Sequence, residues 1–274
     1  MSESVQPTLA SSLASVAATG PLVHSVTNAV TVNDVANVTL HWGGLPVMAD
    51  DEREVAEMVA GADALLLNAG DVSERGERTM VAAGRAANDH GVPVVLDPVG
   101  VGATPTRTAV AERLVAEVDL AVVKGNYGEV STLAGAAGEV RGVESVGEYA
   151  DIAATARACA DTTGSVVVAS GERDVIATSE RAFGVEGGHP MLGRVVGTGC
   201  MLGVTLATFC GAVADPLTAS VDAVVGYGLA AERAAETEYG GPASYKIRFL
   251  DAVAGLSPEA VDADLAGRVT RLDG

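Results

Sequence analysis

Residues 91–107 read Gly-Val-Pro-Val-Val-Leu-Asp-Pro-Val-Gly-Val-Gly-Ala-Thr-Pro-Thr-Arg. Gly91 stops a helix, Pro93 leads into a strand, and Val94-Val95-Leu96 is apolar at every position. Such a short, unbroken apolar run marks a strand covered on both faces, as in a parallel sheet between helical layers. Working outward, similar runs predict strands at Leu22–Val26, Ala64–Asn68, Pro93–Asp97, Leu120–Lys124 and Ser165–Ser170. A weaker pair, Asp174–Thr178 and Arg181–Val185, flanks a polar turn and reads as an edge hairpin. Helical periodicity covers Val30–His41, Glu52–Ala60, Ser73–Asn88, Tyr127–Ala134, Val146–Asp161, Thr198–Val213, Pro216–Glu238 and Ser244–Gly255. This alternation predicts an α/β fold: one three-layer αβα domain, residues 1–274, with a mostly parallel central sheet and an edge β-hairpin. Residues 1–20 read as an N-terminal helical extension and 257–274 as a short C-terminal tail.

Composition removes several classes. The 274 residues carry 36 Asp+Glu against 17 Lys+Arg, a formal net charge of −19, and 48% are hydrophobic. A chain this apolar can bury enough surface to fold, so disorder is excluded. The negative field disfavours a nucleic-acid partner and an anionic membrane. Only Lys124 and Lys246 are lysines. Acidity with so few lysines suggests a salt-adapted, halophilic protein whose carboxylates keep it hydrated. Cys159, Cys200 and Cys210 form no CxxC pair, so neither a disulfide framework nor a zinc knuckle is indicated. The N-terminus has no basic region or long apolar core, and the expected compartment is the cytoplasm. Val195–Ala214 lacks charge but holds four glycines and three threonines, which suits a buried core helix better than a membrane span.

In open parallel sheets ligands bind beyond the carboxyl ends of the strands. Asp97 lies at such an end, before Pro98, Gly100 and Gly102. It can close an Asx-turn or cap a helix, or it can face a ligand. The next strand ends at Lys124-Gly125-Asn126, with Glu129 in the first turn of a helix. Glu129 can complement the helix dipole in a capping box. Alternatively, Asp97 and Glu129 form a sparse Mg²⁺-water ligand set, with Lys124 a point charge on phosphate. Gly197-Thr198-Gly199-Cys200 opens the uncharged helix and offers backbone N–H groups to an anion, although a lone GxG is also a tight turn. Cys200 sits where a helix dipole lowers a thiol pKa, or it is a small buried hydrophobe. Asn28 can cap a helix or touch substrate through its amide. Met48 suits a flat heteroaromatic ring or a core equally well, and the Ser170 hydroxyl can meet phosphate or cap a turn.

Together these segments resemble the hydroxyethylthiazole kinase family, a branch of the ribokinase-like fold. The resemblance rests on PLVHSVTNAVTVNDVAN, GGLPVMAD, DALLLNAG, AANDHGVPVVLDPVGVGATPTR, VVKGNYGEV, VVVASGERD, GHPMLGRVVGTGCMLG, and YGLAAERAAE followed by GPASYKIRFLDA. It runs from Pro21 to Leu256 in one order. It implies ATP-dependent phosphorylation of the primary alcohol of 4-methyl-5-(2-hydroxyethyl)thiazole, a salvage step toward thiamine. It also implies Mg²⁺ and a homotrimer with active sites at subunit interfaces. By the same resemblance Met48 and Gly197 match substrate contacts, Lys124 a basic ATP contact that is often Arg, and Ser170 an ATP contact that is commonly Thr. Asp97 and Glu129 match acids near magnesium and phosphate, and Cys200 falls where broader ribokinase relatives place an aspartate base. The γ-phosphate is then expected over the Gly197–Cys200 helix start, with Thr198 and Gly199 in the ATP site. Two other readings stand beside it: a kinase for another vitamin-precursor alcohol such as hydroxymethylpyrimidine, and a non-catalytic nucleotide- or thiazole-binding sensor.

Overall fold

The apolar runs become neighbouring strands at the centre of one sheet. The computed structural model describes residues 7–135, 139–141, 144–146, 151–261 and 265–272. The first half of the chain forms α1 (Leu9–Thr19), β1 (Leu22–Val26), α2 (Val32–Trp42), β2 (Leu45–Val47), α3 (Val55–Val59), β3 (Ala64–Asn68), α4 (Glu74–His90), β4 (Val94–Asp97), α5 (Pro105–Glu117) and β5 (Val122–Asn126). Next come α6 (Tyr127–Leu133), the small hairpin β6 (Glu139–Arg141) and β7 (Glu144–Val146), then α7 (Ile152–Thr163). The remainder forms β8 (Val166–Ser170), β9 (Asp174–Ala177), β10 (Ala182–Val185), α8 (Thr198–Cys210), α9 (Pro216–Glu236), α10 (Pro242–Ala254) and β11 (Val269–Leu272).

Among the described residues the main sheet has the order β11-β10-β9-β8-β5-β4-β3-β1-β2. From β2 to β8 the neighbours are parallel, whereas β8–β9, β9–β10 and β10–β11 are antiparallel. Every position of β3 and β4 is buried. Alternate residues serve opposite layers: Ala64, Leu66 and Val95 join the core under α1, α2 and α8–α10, and Leu65, Leu67, Val94 and Leu96 the core under α3–α7. The three-layer architecture read from the runs is therefore present.

Three local expectations change. The β9–β10 hairpin forms but is not the sheet edge, because β11 pairs along the outer side of β10. At the opposite edge β2 adds three residues, too few to show a period, with Leu45 exposed. The helix expected from Glu52 starts at Val55, since the Asp51 carboxylate accepts from the backbone N–H and the guanidinium of Arg53 and holds a turn there. The helix expected from Val146 starts at Ile152, capped by Asp151 accepting from the Ala154 N–H. In the uncharged stretch, Met201–Cys210 of α8 are all buried. Among the described residues no helix is long and apolar enough to cross a membrane.

Helix α1 buries Leu9, Leu13 and Val16. It is fastened to α9 by the buried Asp222 carboxylate, which accepts from Thr8 N–H (2.8 Å), Thr8 Oγ1 (2.7 Å) and Ser12 Oγ (2.6 Å). Residues 1–6, 262–264 and 273–274 of the two expected terminal segments lie outside the described residues. Asp222→Ala strands three donors and should cost about 2–3 kcal/mol, read as a lowered urea midpoint with unchanged slope.

Candidate active site

The polar residues gather near the carboxyl edge of the sheet, and Asn68, Asp97 and Ser170 end strands whose preceding positions are apolar. Asn28 follows β1, Asn68 ends β3, Asp97 ends β4, Lys124 lies in β5 and Ser170 ends β8. Four of them make one continuous network. Asn28 Nδ2 donates to Asn68 Oδ1 (2.9 Å), Asn68 Nδ2 donates to Asp97 Oδ2 (2.9 Å), and Lys124 Nζ donates to Asp97 Oδ1 (3.3 Å). Asn28 Nδ2 also lies 3.6 Å from Cys200 Sγ, which joins the network to the first turn of α8. Lys124 and Asp97 are buried, at 4% and 1% exposure, so the pair exchanges hydration for mutual attraction.

Helix α8 fits over this pair because glycines at 199 and 203 lie one turn apart on the same face. A Cβ at Gly199 would lie 3.1 Å from Lys124 Nζ, and one at Gly203 3.3 Å from Asp97 Oδ2. Gly197 caps the helix with φ +93°, a left-handed conformation that glycine adopts freely. A Cβ there would also lie 2.8 Å from Thr31 Cγ2. The Thr198 hydroxyl donates to the carbonyls of Leu192 and Val195, closing the loop before α8, and the Thr198 carbonyl accepts from Tyr227 OH. The Thr198 side chain is thus committed to the loop, and what the helix start offers that could suit an anion is its backbone N–H groups.

Glu129 fulfils its capping reading. Its Oε2 accepts from Asn126 N–H while Asn126 Oδ1 accepts from Glu129 N–H, and its Oε1 accepts from Gly100 N–H at 2.7 Å. That last bond ties the loop after β4 to α6. The Ser170 hydroxyl donates to Gly125 O at 3.3 Å and is half-buried. Met48 is half-buried just after β2, packed against the core, outside the hydrogen-bonded network. The adjacent Ala49 carbonyl is held by His24 Nε2 at 2.8 Å. A cavity of about 200 Å³ opens beyond β1 and β3, lined by Thr27, Asp50, Asn68, Asp71 and Arg75 among others.

The electrostatics bear on the two readings of Cys200. Burial pushes the Cys200 thiol up, and Asp97 adds to this, outweighing Lys124. That direction favours the small buried hydrophobe over a thiol lowered by the helix dipole. Burial also raises Asp97, against Lys124 and Asn68. Burial alone would lower Lys124, but Asp97 and Glu129 carry it above its usual value. Asn68 and Gly203 went unread in the sequence. The signals were there: an Asn ending an apolar strand beside the Asp97 strand, and glycines spaced four apart in a helix.

A family model described as "HK: Hydroxyethylthiazole kinase family" matches residues 13–259. The chain belongs to the hydroxyethylthiazole kinase family. A hydroxyethylthiazole kinase of Natronomonas pharaonis is 60% identical over 267 residues, 96% of this chain and 95% of that one. One of Haloquadratum walsbyi is 55% identical, covering 98% of this chain and 95% of the relative. A solved hydroxyethylthiazole kinase from Pyrococcus horikoshii superposes with a TM-score of 0.84 at 34% identity, covering 97% and 99% of the two chains. A ribokinase-like protein from Enterococcus faecalis shares the fold, with a TM-score of 0.64 at 14% identity over 93% and 92%.

In this member of the hydroxyethylthiazole kinase family, burial lifts the Glu129 carboxyl from 4.5 to about 7, against Lys124 and assisted by Asp97. Between those values the folded state binds the proton more tightly than the unfolded chain. This group's contribution to stability therefore falls as pH rises from about 4.5 to about 7. Glu129→Gln, neutral at every pH, should lack that slope. Urea midpoints at pH 5 and 8 should show wild type losing roughly 1–3 kcal/mol relative to the variant.

Proposed function

We propose that the chain transfers the γ-phosphoryl group of ATP to the primary hydroxyl of 4-methyl-5-(2-hydroxyethyl)thiazole, at the Lys124–Asp97 pair beneath the start of α8. The observation that carries this is the unbroken network from Asn28 and Cys200 through Asn68 to Asp97 and Lys124. It connects groups suited to an alcohol with groups suited to a phosphate. Family membership gives the reaction class, an ATP-dependent kinase acting in thiazole salvage for thiamine biosynthesis. The assignment of roles to residues is our own reading.

In that reading the alcohol lies against Asn28, Gly197 and Cys200, with Met48 against the thiazole ring. Lys124, Ser170 and the N–H groups from Thr198 and Gly199 face the ATP phosphates. The alcohol oxygen attacks the γ-phosphorus in line, the bond to the ADP oxygen breaks, and the hydroxyl proton passes to a phosphoryl oxygen. A loose transition state of this kind depends on positioning and charge neutralisation more than on a strong base. A protonated Cys200 is compatible with that: it shapes the pocket while Asn28 fixes the hydroxyl. The donor set fits Mg²⁺, since Asp97 and Glu129 are buried carboxylates whose ionised forms a divalent cation favours. When bound there, the ion supplies neutralising charge to the phosphate oxygens. Among the described residues no group of three or more His, Cys, Asp and Glu could hold a metal ion. Its remaining ligands would thus be water and phosphate.

A homotrimer with sites near its interfaces is part of the same proposal. Exposed Val30, Val32, Leu40, Leu45, Val196 and Ile247 are supplied by α2, the edge strand β2, α10 and the two loops preceding α2 and α8. This is apolar surface that a partner would cover. Light scattering after gel filtration should give three chains, and Leu40→Glu with Leu45→Glu should shift the species to one. The acidic surface suits a salty cytoplasm, where screening relieves the charge of −19.

Incubation with Mg-ATP and a panel of vitamin-precursor alcohols, following ADP and product mass, tests the reaction. The thiazole alcohol should turn over and hydroxymethylpyrimidine should not. Cys200→Ala should lower kcat by about 10²-fold or less, whereas removing a full general base can cost about 10⁴-fold. Complete loss in a folded variant would overturn the pocket-shaping role.

A further inference from the structure

Arg107 departs from the carboxylate pairing that occupies many arginines of this acidic chain, and it spans three backbone carbonyls where Arg233 reaches one. Others pair with carboxylates: Arg53 with Asp51, Arg113 with Glu77 and Glu117, Arg268 with Glu232. Among the described residues Arg107 pairs with none. Its half-buried guanidinium donates instead to three backbone carbonyls, from Nη1 to Ala69 O (3.0 Å) and Val99 O (2.8 Å), and from Nη2 to Gly70 O (3.0 Å). A planar fork with several fixed donors is suited to spanning such separate acceptors, and a lysine is not. The residue is presented by the first turn of α5, where Pro105 follows the cap and Thr104 Oγ1 accepts from Arg107 N–H. Gly100, with φ +76°, leaves room for it, since a Cβ there would lie 3.1 Å from Arg107 Cδ.

The two loops so joined follow β3 and β4, and each backs one half of the site. Gly70 is pressed against Asn28: a Cβ would lie 2.7 Å from Asn28 Nδ2 and 2.8 Å from its Cγ. Val99 immediately precedes Gly100, whose N–H holds Glu129 Oε1. We propose that Arg107 is a positioning residue for phosphoryl transfer: it latches these loops and, through Gly70 and Gly100, fixes Asn28 and Glu129 relative to one another. It touches neither substrate. The inference rests on the roles proposed above for Asn28 and Glu129.

The test compares wild type with Arg107→Met and Arg107→Lys, using Mg-ATP and the thiazole alcohol. A misplacement on the ångström scale costs on the order of 10²-fold, so kcat of Arg107→Met should fall about 100-fold while both KM values stay within about threefold. Arg107→Lys, which cannot reach all three carbonyls, should recover part of the loss. Because Arg107 acts through Asn28, the double variant Arg107→Met with Asn28→Ala should be no more than about threefold below the worse single variant, whereas adding Met48→Ala should multiply. Backbone hydrogen exchange over residues 69–71 and 99–101 should quicken in Arg107→Met. The proposal is overturned by a kcat within about threefold of wild type, by a raised KM with kcat kept, or by losses that simply multiply with Asn28→Ala. Unchanged exchange in both loops overturns it as well. A wild type that phosphorylates no thiazole alcohol sinks the functional reading instead, and the exchange data then decide the latch alone. If Arg107→Met does not fold, Arg107→Lys carries the same readouts with smaller changes.

Discussion

The rest of the site is arranged around a buried ammonium and a buried carboxylate. Lys124 and Asp97 lie 3.3 Å apart on neighbouring strands, under the first two turns of α8. Such a pair is a poor device for stability, because the attraction seldom exceeds the hydration given up, and well-packed apolar side chains would often serve better. Its surroundings show how much is organised to keep it. Asn68 occupies the second oxygen of Asp97, Glu129 adds negative charge near Lys124, and α8 forgoes side chains at 199 and 203 to lie close. A fold that takes on this cost at the carboxyl edge of its sheet holds charge ready for a charged ligand.

The scarcity of lysine acquires a structural sense here. Both lysines are in pairs that join distant segments, Lys124 with Asp97 and Lys246 with Asp34 across α10 and α2. Asp34 in turn lies near Gly197, where a Cβ would be 3.6 Å from its Oδ2. Both lysine charges are thus already matched by carboxylate. In the proposed reading an incoming polyphosphate would meet attraction from oriented N–H groups and from cations arriving with it, more than from lysine side chains. Surface arginine–carboxylate pairs such as Arg53–Asp51 are exposed and contribute little to stability.

Much of the fold was legible because strands buried on both faces admit few residue types. Val94-Val95-Leu96 and Leu65-Leu66-Leu67 could be read directly, and polar residues at their ends stood out against them. Helix α5 was missed because only Val110, Ala111 and Leu114 of it are buried, leaving a faint apolar stripe. The hairpin's true neighbour, β11, lies more than 80 residues further along and has only four positions, of which Val269 alone is buried. Within the site, Asn28, Asp97 and Lys124 were recoverable as polar types at or near strand ends, whereas Asn68, which joins them, went unread. Arg107 was not recoverable, because its partners are backbone carbonyls of loops, which any residue supplies. The two readings of Cys200 stayed undecided in the sequence for a related reason: a dipole can be inferred from helix position, but burial depends on what packs above.

The strand β11 has a bearing on how the molecule is made. It pairs Val269–Leu272 with Ala182–Val185, while α1 near the other end is pinned by Asp222. Both contacts span much of the chain, so neither can form early during synthesis on the ribosome. A nascent polypeptide that has emerged as far as α10 holds a nearly complete sheet whose β10 margin still offers unpaired N–H and C=O groups. Until residues 269–272 arrive, that margin is open to pairing with another chain, and their pairing with β10 closes it.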